Sequence, residues 1–245
     1  MSTAESQSFY EAEYRLLYQG QEGPGAKDLA VQAKRAQVTL DIAKQHIQSC
    51  GRILDIGCSS GILLQKFQQN YHAHATGIEP GNSYRQYAQS SGLEVYPTLD
   101  ELEHNSPSPF NLVSMMHVLE HLSQPVEYLQ NLRVKYLAPD GWLLLEVPNL
   151  YAHDCFEVAH LVSFSPHTLS QVVQKAGYRA IRLRAHGQPR SKLIPLYLTL
   201  LARPEDNSQY SLKPDRMVPV KRRVGFLYRR VVTRLFPHQA WLSPE

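Results

Sequence analysis

The stretch Ile53-Leu-Asp-Ile-Gly-Cys-Ser-Ser-Gly-Ile-Leu-Leu64 determines the fold. Its first residues form an apolar run typical of a buried strand, Gly57 and Gly61 mark a turn, and apolar residues after the turn begin a helix. Gly57 lets the chain turn and lets a ligand approach the backbone closely. This order predicts a ligand site at the carboxyl end of the strand, where helix amides face the ligand.

Strands and helical segments alternate around this stretch. Short apolar runs predict strands over Arg52–Ile56, Ala73–Ile78, Leu93–Tyr96, Phe110–Met116 and Trp142–Val147. Helices are predicted over residues 26–49, Ile62–Gln69, Asn82–Ser90, Leu99–His104 and Pro125–Leu137, the last capped by Ser123 and followed by a turn at Pro139–Gly141. Another helix begins with Ser165 as its cap and ends at Gly177.

Two further strands, Arg179–Arg184 and Leu193–Ala202, follow without a helix between them, which predicts a hairpin and one antiparallel strand. The expected fold class is α/β, with a doubly wound, mostly parallel seven-stranded sheet and one antiparallel strand. The length of 245 residues and the apolar content of 43% suit one domain with extensions. We expect an N-terminal lid over residues 1–25, the domain over 26–204, and a proline-rich linker with a basic tail over 205–245.

The composition argues against several classes of protein. Cys50, Cys58 and Cys155 are too few and too scattered for a disulfide framework and suit a reducing compartment. The first residues lack the basic and apolar regions of a secretory signal. The longest apolar run, Leu193–Ala202, is about half as long as a membrane span. We therefore expect a cytoplasmic protein.

The net charge of +3 is unevenly distributed. Eight basic residues from Lys213 to Arg234 are accompanied by Asp215 alone, so this segment carries +7 and the rest of the chain −4. The body of the protein is therefore not expected to bind nucleic acid.

The tail has an apolar stripe and a basic face at helical spacing. The stripe consists of Val224, Leu227, Tyr228, Val231 and Leu235. A basic amphipathic helix over residues 220–236 is typical of contact with an anionic membrane or partner, whereas a helix packed on its own domain is commoner. We expect the stripe to pack on the domain and the arginines to meet an anionic partner, with peripheral membrane contact as the alternative.

An acidic residue follows the second predicted strand. Glu79 lies 22 residues after Gly57, and a carboxylate at this place can accept both hydroxyls of a ribose. The spacing Gly57-x-x-x-Gly61 differs from the dinucleotide pattern G-x-G-x-x-G, and Asp55 places negative charge where a pyrophosphate would lie. S-adenosylmethionine, which carries an ammonium and a sulfonium group, fits this pattern better than NAD.

Four blocks resemble the class I S-adenosylmethionine-dependent methyltransferases, in that family's order. Residues 55–61 resemble the first motif, and Phe110–His121 resembles the fourth-strand motif of the subgroup with ubiquinone-type and sugar methyltransferases. Pro139–Asn149 is similar to that subgroup's fifth strand. His160–Leu169 together with Ala176–Tyr178 is similar to the segment that follows it.

The resemblance covers about residues 38–204 and implies S-adenosylmethionine as the cofactor. Ser59 replaces the usual middle glycine and Asn111 replaces a frequent Asp, but the ribose-binding acid and both outer glycines are present. The residues implied to bind the cofactor are Asp55, Gly57, Cys58, Ser59, Gly61, Glu79, Pro80 and Met116.

Methyl transfer to a hydroxyl needs a nucleophile held against the methyl carbon and a base that removes its proton. His160 is the first candidate for this base, with Glu157 to orient it, and His117 is the second; a structural role is the alternative for each. His117 and His121 have a spacing that could hold a metal ion, but the family pattern explains both, so we assign no metal.

We predict an S-adenosylmethionine-dependent methyltransferase that acts on a small-molecule or glycan acceptor at oxygen. One alternative is a lipid or quinone methyltransferase at the membrane face. The other is a non-catalytic, cofactor-binding partner protein.

Overall fold

The computed structural model describes residues 23–105, 109–205 and 211–243. The predicted lid over residues 1–25, with its aromatic and basic cluster, lies outside the described residues except for its last three. That cluster is Tyr10, Tyr14, Arg15 and Tyr18. The chain divides into two compact units, and the division falls between Ser114 and Met115.

The first unit contains a parallel sheet with helices between its strands. Its elements are α1 (Ala26–Lys44), β1 (Arg52–Ile56), α2 (Ile62–Tyr71), β2 (His74–Ile78), α3 (Asn82–Ser90), β3 (Glu94–Tyr96), α4 (Leu99–Asn105) and most of β4 (Phe110–Met116). β2 pairs in parallel with β1 and with β3, with Asp55 opposite Gly77. The amides of Gly57 and Cys58 both donate to the carbonyl of Ile78, so the ends of β1 and β2 are held together.

The second unit begins with a 3₁₀ turn, Leu119–His121, and contains the antiparallel part of the sheet. Its remaining elements are α5 (Pro125–Lys135), β5 (Leu137–Pro148), α6 (Pro166–Lys175), β6 (Tyr178–His186), β7 (Tyr197–Pro204), α7 (Val218–Leu235) and α8 (Pro237–Ala240). β7 is antiparallel to both β5 and β6. The seven strands have the order β3-β2-β1-β4-β5-β7-β6 in one mostly parallel sheet. The predicted fold class is therefore confirmed.

Local hydrogen bonds explain where the element boundaries differ from the prediction. α1 ends at Lys44 because the amides of His46 and Ile47 both bond to one carbonyl, which closes the helix five residues early. β7 begins at Tyr197 because the hydroxyl of Ser191 accepts the amides of Leu193 and Ile194 in a turn.

Two other local predictions were wrong and one is confirmed. Pro139–Gly141 lies within β5, where a Cβ on Gly141 would stand 2.9 Å from a carbonyl oxygen, so the strand bends sharply without ending. Ser123 does not cap α5, which begins after Gln124 without a side-chain cap. Ser165 caps α6 in a capping box with Thr168.

The tail forms the predicted helix, but a different face packs on the second unit. Val232 is 6% exposed and belongs to a buried cluster with Ala152, Ile194 and Tyr197. The predicted stripe is 44–65% exposed, so the expectation that it packs on the domain was wrong. None of the helices in the described parts of the chain is long and apolar enough to cross a membrane.

Candidate functional site

The turn after β1 has the backbone of a ligand-binding loop. Gly57 and Gly61 have φ values of 73° and 78°, a region that favours glycine. A Cβ on Gly61 would lie 2.3 Å from Leu93, so only glycine fits there without a shift. Ser59, which stands where the family has glycine, also adopts a positive φ of 54°. The substitution therefore leaves the left-handed loop conformation in place, at some cost in strain.

Glu79 holds this loop from the end of β2. The residue is 5% exposed, and its carboxylate accepts the amide of Ser59 at 2.8 Å and the amide of Gly81 at 2.9 Å. A buried carboxylate at the end of this strand is of the chemical type that accepts the hydroxyls of a ligand. Arg85 fixes the adjoining turn by donating to the carbonyls of Glu79 and Pro80. Sequence reasoning missed Arg85.

Asp55 is buried at the end of β1. It is 2% exposed and accepts a hydrogen bond from the hydroxyl of Ser114 at 2.7 Å. Burial raises the pKa of Asp55 to about 7, with a further contribution from the charge of Glu79, although the Ser114 bond opposes the shift. A ligand with two positive groups would favour the ionised form, so this carboxyl is suited to a cationic ligand.

The other predicted cofactor residues occupy different environments. Cys58 is buried, and a Cβ added to Gly77 would lie 2.6 Å from its sulfur. The thiol therefore packs closely against the backbone of β2 as a small hydrophobic group. Pro80 is half-buried beside Glu79. Met116 ends β4, is half-buried and belongs to the second unit. The structure thus brings the candidates from Asp55 to Pro80 together in the first unit.

A polar chain from α1 supports the loop and was not predicted. Ser60 donates to Gln32, which donates to Asp28 at 2.7 Å, and the same Asp28 oxygen accepts the hydroxyl of Tyr84 at 2.8 Å. The sequence signal was weak, because Asp28 and Gln32 lie four residues apart in a helix expected only to bury apolar residues. Asn111 accepts the amides of Gly51 and Arg52 at the start of β1, so it has a structural role there.

In the second unit, His117 lies between two buried carboxylates. Its Nδ1 is 3.2 Å from Oε1 of Glu120 and its Nε2 is 3.3 Å from Oε1 of Glu146. Glu146 also accepts the hydroxyl of Thr199 at 2.9 Å and lies 3.3 Å from His186. Burial would raise the pKa of Glu120, but the hydrogen bond and charge of His117 hold it below its ordinary value.

His160 and Glu157 line a separate part of the same unit. Nε2 of His160 is 3.3 Å from Oε2 of Glu157, and its ring meets that of His121 edge to face at 4.9 Å. Nδ1 of His121 donates to the carbonyl of Ala159 at 2.9 Å, and burial lowers the pKa of His121. His121 therefore keeps a lone pair on Nε2 near neutral pH.

The histidine spacing singled out in the sequence has a different structural meaning. His117 precedes a 3₁₀ turn and has a φ of 57°, so His117 and His121 do not share the face of an α-helix. Within the described ranges, Glu120, His121 and His160 have ligand atoms that all lie within 4.8 Å of one another. The absence of a metal ion stays a prediction.

A cavity of about 20 Å³ in the second unit collects this second set of polar groups. Its lining includes Glu120, Glu157, His160, Phe156 and Arg222. One carboxylate oxygen of Glu120, Oε2, is buried and has no hydrogen-bond partner among the residues that the structure describes. An acidic, histidine-containing pocket of this kind can accept a proton from a bound hydroxyl and hold the resulting charge.

Residues 29–183 match the model of a methyltransferase domain family. The chain belongs to this methyltransferase family. Its cofactor is S-adenosylmethionine, and the enzyme class predicted from the four sequence blocks is confirmed. The left-handed glycine loop, the carboxylate of Glu79 at the end of β2 and the buried acid at position 55 fit this cofactor.

Curated relatives of this methyltransferase include enzymes with different acceptors. A ubiquinone biosynthesis O-methyltransferase of Haemophilus ducreyi is 33% identical over 109 residues, which cover 40% of this chain and 45% of the relative. A tRNA U34 carboxymethyltransferase of Hydrogenovibrio crunogenus is 29% identical over 164 residues, 58% of this chain and 49% of the relative. The chain thus spans about half the length of these curated relatives.

A solved structure shows the same fold. The 1,6-didemethyltoxoflavin-N1-methyltransferase of Burkholderia thailandensis, with S-adenosylhomocysteine bound, aligns with a TM-score of 0.58 at 18% identity. The alignment covers 74% of this chain and 82% of that one. At this identity the likeness concerns the fold.

Proposed function

We propose that this methyltransferase transfers the methyl group of S-adenosylmethionine to a hydroxyl oxygen of a small-molecule acceptor. The observation that carries the proposal is the pair of His160 and Glu157 in a pocket of the second unit. S-adenosylmethionine supplies an electrophilic methyl group on a sulfonium. Transfer to oxygen additionally requires loss of the hydroxyl proton, and a histidine oriented by a carboxylate is suited to accept it.

In this proposal Glu79 binds the ribose hydroxyls and the loop from Gly57 to Gly61 passes close to the cofactor. Asp55 supplies the negative charge for its positive groups. The fit rests on the place of the buried Glu79 carboxylate against the loop amides and on the burial of Asp55. Pro80, Cys58 and Met116 stay predicted contacts.

His160 suits the role of base better than His117. Both ring nitrogens of His117 face carboxylate oxygens, which favours a ring that donates on both sides and leaves no lone pair for an acceptor proton. In the described parts of the chain His160 forms an ion pair with one carboxylate, that of Glu157, and its side chain is 14% exposed at the pocket. If Glu157 holds the proton on Nε2, Nδ1 is the basic atom.

A phenolic acceptor related to ubiquinone precursors is the finer proposal. The Haemophilus relative is named for ubiquinone biosynthesis, and Phe156 gives the pocket an aromatic wall. An RNA acceptor, as in the second relative, is less suited to a chain whose body carries a net charge of −4 outside residues 213–234. A glycan hydroxyl remains the alternative among small acceptors.

The test is formation of S-adenosylhomocysteine in the presence of defined acceptors. Catechols, prenylated phenols, nucleotide sugars and tRNA are incubated separately with the protein and cofactor, and the methylated product is located by mass spectrometry. We expect turnover with a phenolic hydroxyl. Turnover with tRNA alone would contradict the proposal. Tight cofactor binding without turnover on any acceptor would support the non-catalytic alternative.

A further inference from the structure

We propose that α7 docks the protein on the surface of an anionic phospholipid bilayer, through the apolar side chains that it leaves exposed. Exposed apolar side chains cover this face. Val224, Leu227 and Leu235 are each more than 60% exposed, and Val220, Tyr228 and Val231 are each more than 40% exposed. At about 100° per residue these six side chains fall in one sector roughly 100° wide. A single helix seldom leaves this much apolar surface in water.

The apolar surface continues beyond both ends of α7. Leu212 and Met217 precede the helix and are 49% and 66% exposed. Phe236 follows it and is 51% exposed. Met217 lines the same groove as Val220, so the apolar surface extends past the start of the helix. Tyrosine is enriched where a protein meets the headgroup region of a membrane, which suits Tyr228.

A row of arginines borders the apolar sector. Arg223, Arg230 and Arg234 are exposed and fall in the neighbouring sector of the helix. Between residues 211 and 243 the sequence has Asp215 as its single acid, and this carboxylate is bound to Lys221 at 2.6 Å. Within residues 211–243 the row therefore carries positive charge that no other acid of that range can neutralise. An apolar face bordered by arginines complements lipid tails beside anionic headgroups.

The opposite face of α7 is firmly attached to the second unit. A Cβ on Gly225 would lie 1.9 Å from the carbonyl oxygen of Tyr151, so helix backbone meets loop backbone there. Arg229 donates to the carbonyl of Ala152 at 3.0 Å and pairs with Asp154 at 3.1 Å. Because these contacts occupy one side of the helix, the exposed apolar side is held outward.

Asp215 adds a polar anchor at the beginning of the helix. Its carboxylate accepts the hydroxyls of Tyr151 and Ser165 in addition to the ammonium of Lys221. Burial alone would raise the pKa of Asp215, but these three partners hold it below its ordinary value. The carboxylate therefore stays ionised at physiological pH and keeps the anchor formed.

The helix that carries the docking face also lines the proposed acceptor pocket, through a residue on its opposite side. The guanidinium of Arg222 stacks on Phe156 at 4.1 Å, and both residues line the pocket with His160. A groove of about 490 Å³, lined mainly by apolar side chains of α7 and of the segments around Tyr151 and Ile194, runs along the helix. A bilayer is favoured over a second copy of the chain, because anionic headgroups neutralise the arginine row, whereas a second copy brings only an identical basic row.

The experiment is co-sedimentation of the full chain with phosphatidylcholine vesicles, with and without phosphatidylglycerol. We expect binding to the anionic vesicles and release by high salt, because exposed charges are screened. The variant Leu227→Glu should abolish binding. The triple variant Arg223→Gln, Arg230→Gln, Arg234→Gln should weaken it about 100-fold, which corresponds to about 1 kcal/mol per arginine. All of these side chains are exposed, so circular dichroism should show unchanged folding.

Matched controls separate the contribution of this helix face to vesicle binding from general effects of surface charge and hydrophobicity. Val134→Glu changes an apolar residue of α5 that is 76% exposed. The triple variant Arg179→Gln, Arg182→Gln, Arg184→Gln removes the same charge from β6. Neither control should alter vesicle binding.

Three results would overturn the proposal. They are equal binding to neutral and anionic vesicles, no binding to either, and equal loss of binding in the α7 and β6 charge variants. Light scattering that shows a dimer dispersed by Leu227→Glu, without vesicle binding, would assign the face to a second copy instead. Methyltransferase activity on a water-soluble acceptor should be unchanged by Leu227→Glu, so failure of docking and failure of the proposed reaction can be told apart.

Discussion

The loop site of the first unit and the histidine pocket of the second unit are built in different ways. The loop site consists of residues close together in the chain, and its shape comes from backbone conformation at Gly57 and Gly61. The histidine pocket collects side chains from positions 120 to 222 of the chain. A short motif can therefore specify the first site, whereas the second depends on how distant elements pack.

The pKa of a buried carboxyl is shifted in opposite directions in the two regions. Asp55 has one hydroxyl partner, and burial raises its pKa to about 7. Glu120 is 1% exposed, yet its pKa is lowered because His117 stands 3.2 Å away. Burial alone does not decide the charge of an acid, since the nearest partner does so.

The largest expected effect concerns the second region. His160→Ala should lower kcat by about 10²–10⁴-fold, the range typical of a general base, while the affinity for S-adenosylmethionine stays nearly unchanged. Steady-state kinetics at saturating acceptor, with calorimetry for the cofactor, measure both. Glu157→Gln, which keeps the size of the orienting side chain, should cause a smaller loss in kcat.

His117 provides the contrasting variant. His117→Ala should lower the melting temperature, because it leaves Glu120 and Glu146 buried beside an empty position. A rate for His160→Ala within a fewfold of the wild type would return His160 to a structural role and transfer the base assignment to His117.

The next effect concerns the loop site. Glu79→Ala should weaken S-adenosylmethionine binding by about 1.5–3 kcal/mol, because it removes a charged acceptor of the ribose hydroxyls. Glu79 also accepts two loop amides, so the variant should lose stability as well. Isothermal calorimetry measures the affinity, and a thermal melt confirms that the variant is folded. Unchanged affinity in a folded variant would remove Glu79 from the cofactor site.

The smallest effect tests the raised pKa of Asp55. The pKa of Asp55 in the folded protein is about 7, above the ordinary value of 3.8. The protonated carboxyl therefore contributes its full stabilisation below about pH 3.8, and this stabilisation is lost as the pH rises through about 7. The wild type without cofactor should therefore lose about 1 kcal/mol between about pH 6 and pH 7.5 relative to Asp55→Asn. Denaturant unfolding at both pH values measures this difference, and parallel curves for the two proteins would contradict the raised pKa.

The same carboxyl gives the cofactor a pH signature. A bound sulfonium and ammonium should drive ionisation of Asp55, so binding should release protons below about pH 7. Calorimetry in buffers of different ionisation enthalpy detects this release, and Asp55→Asn should abolish it.

Sequence patterns predicted the parts of the molecule that depend on local rules. The strand, turn and helix around Gly57 follow from apolar runs and from backbone positions that favour glycine. The start of α6 follows from the hydroxyl of Ser165 and the proline after it. The hairpin of β6 and β7 follows from two adjacent strands without a helix between them. These features need only neighbours in the chain.

The wrong and missing predictions concern choices that tertiary contacts make. The pattern of α7 shows which residues share a face, but Gly225 and Val232 decide which face meets the second unit. Proline and glycine at positions 139 and 141 favour a turn, yet β5 accommodates them with a bend. Glu146 stood out as an acid in an apolar strand, a signal that was available and unused. Its partners His117, Thr199 and His186 come from separate segments.

The carboxylate of Asp215 couples the attachment of the tail to the first turn of α6. The hydroxyl of Ser165 both caps the first turn of α6 and donates to Asp215, while Lys221 on α7 binds the other oxygen of that carboxylate. Detaching the tail therefore removes a partner from the group that starts α6. We therefore expect the tail and the first turn of α6 to unfold as one cooperative unit. The rate of amide exchange at Leu169 and its neighbours should then be at least as high as the rate at which the tail detaches.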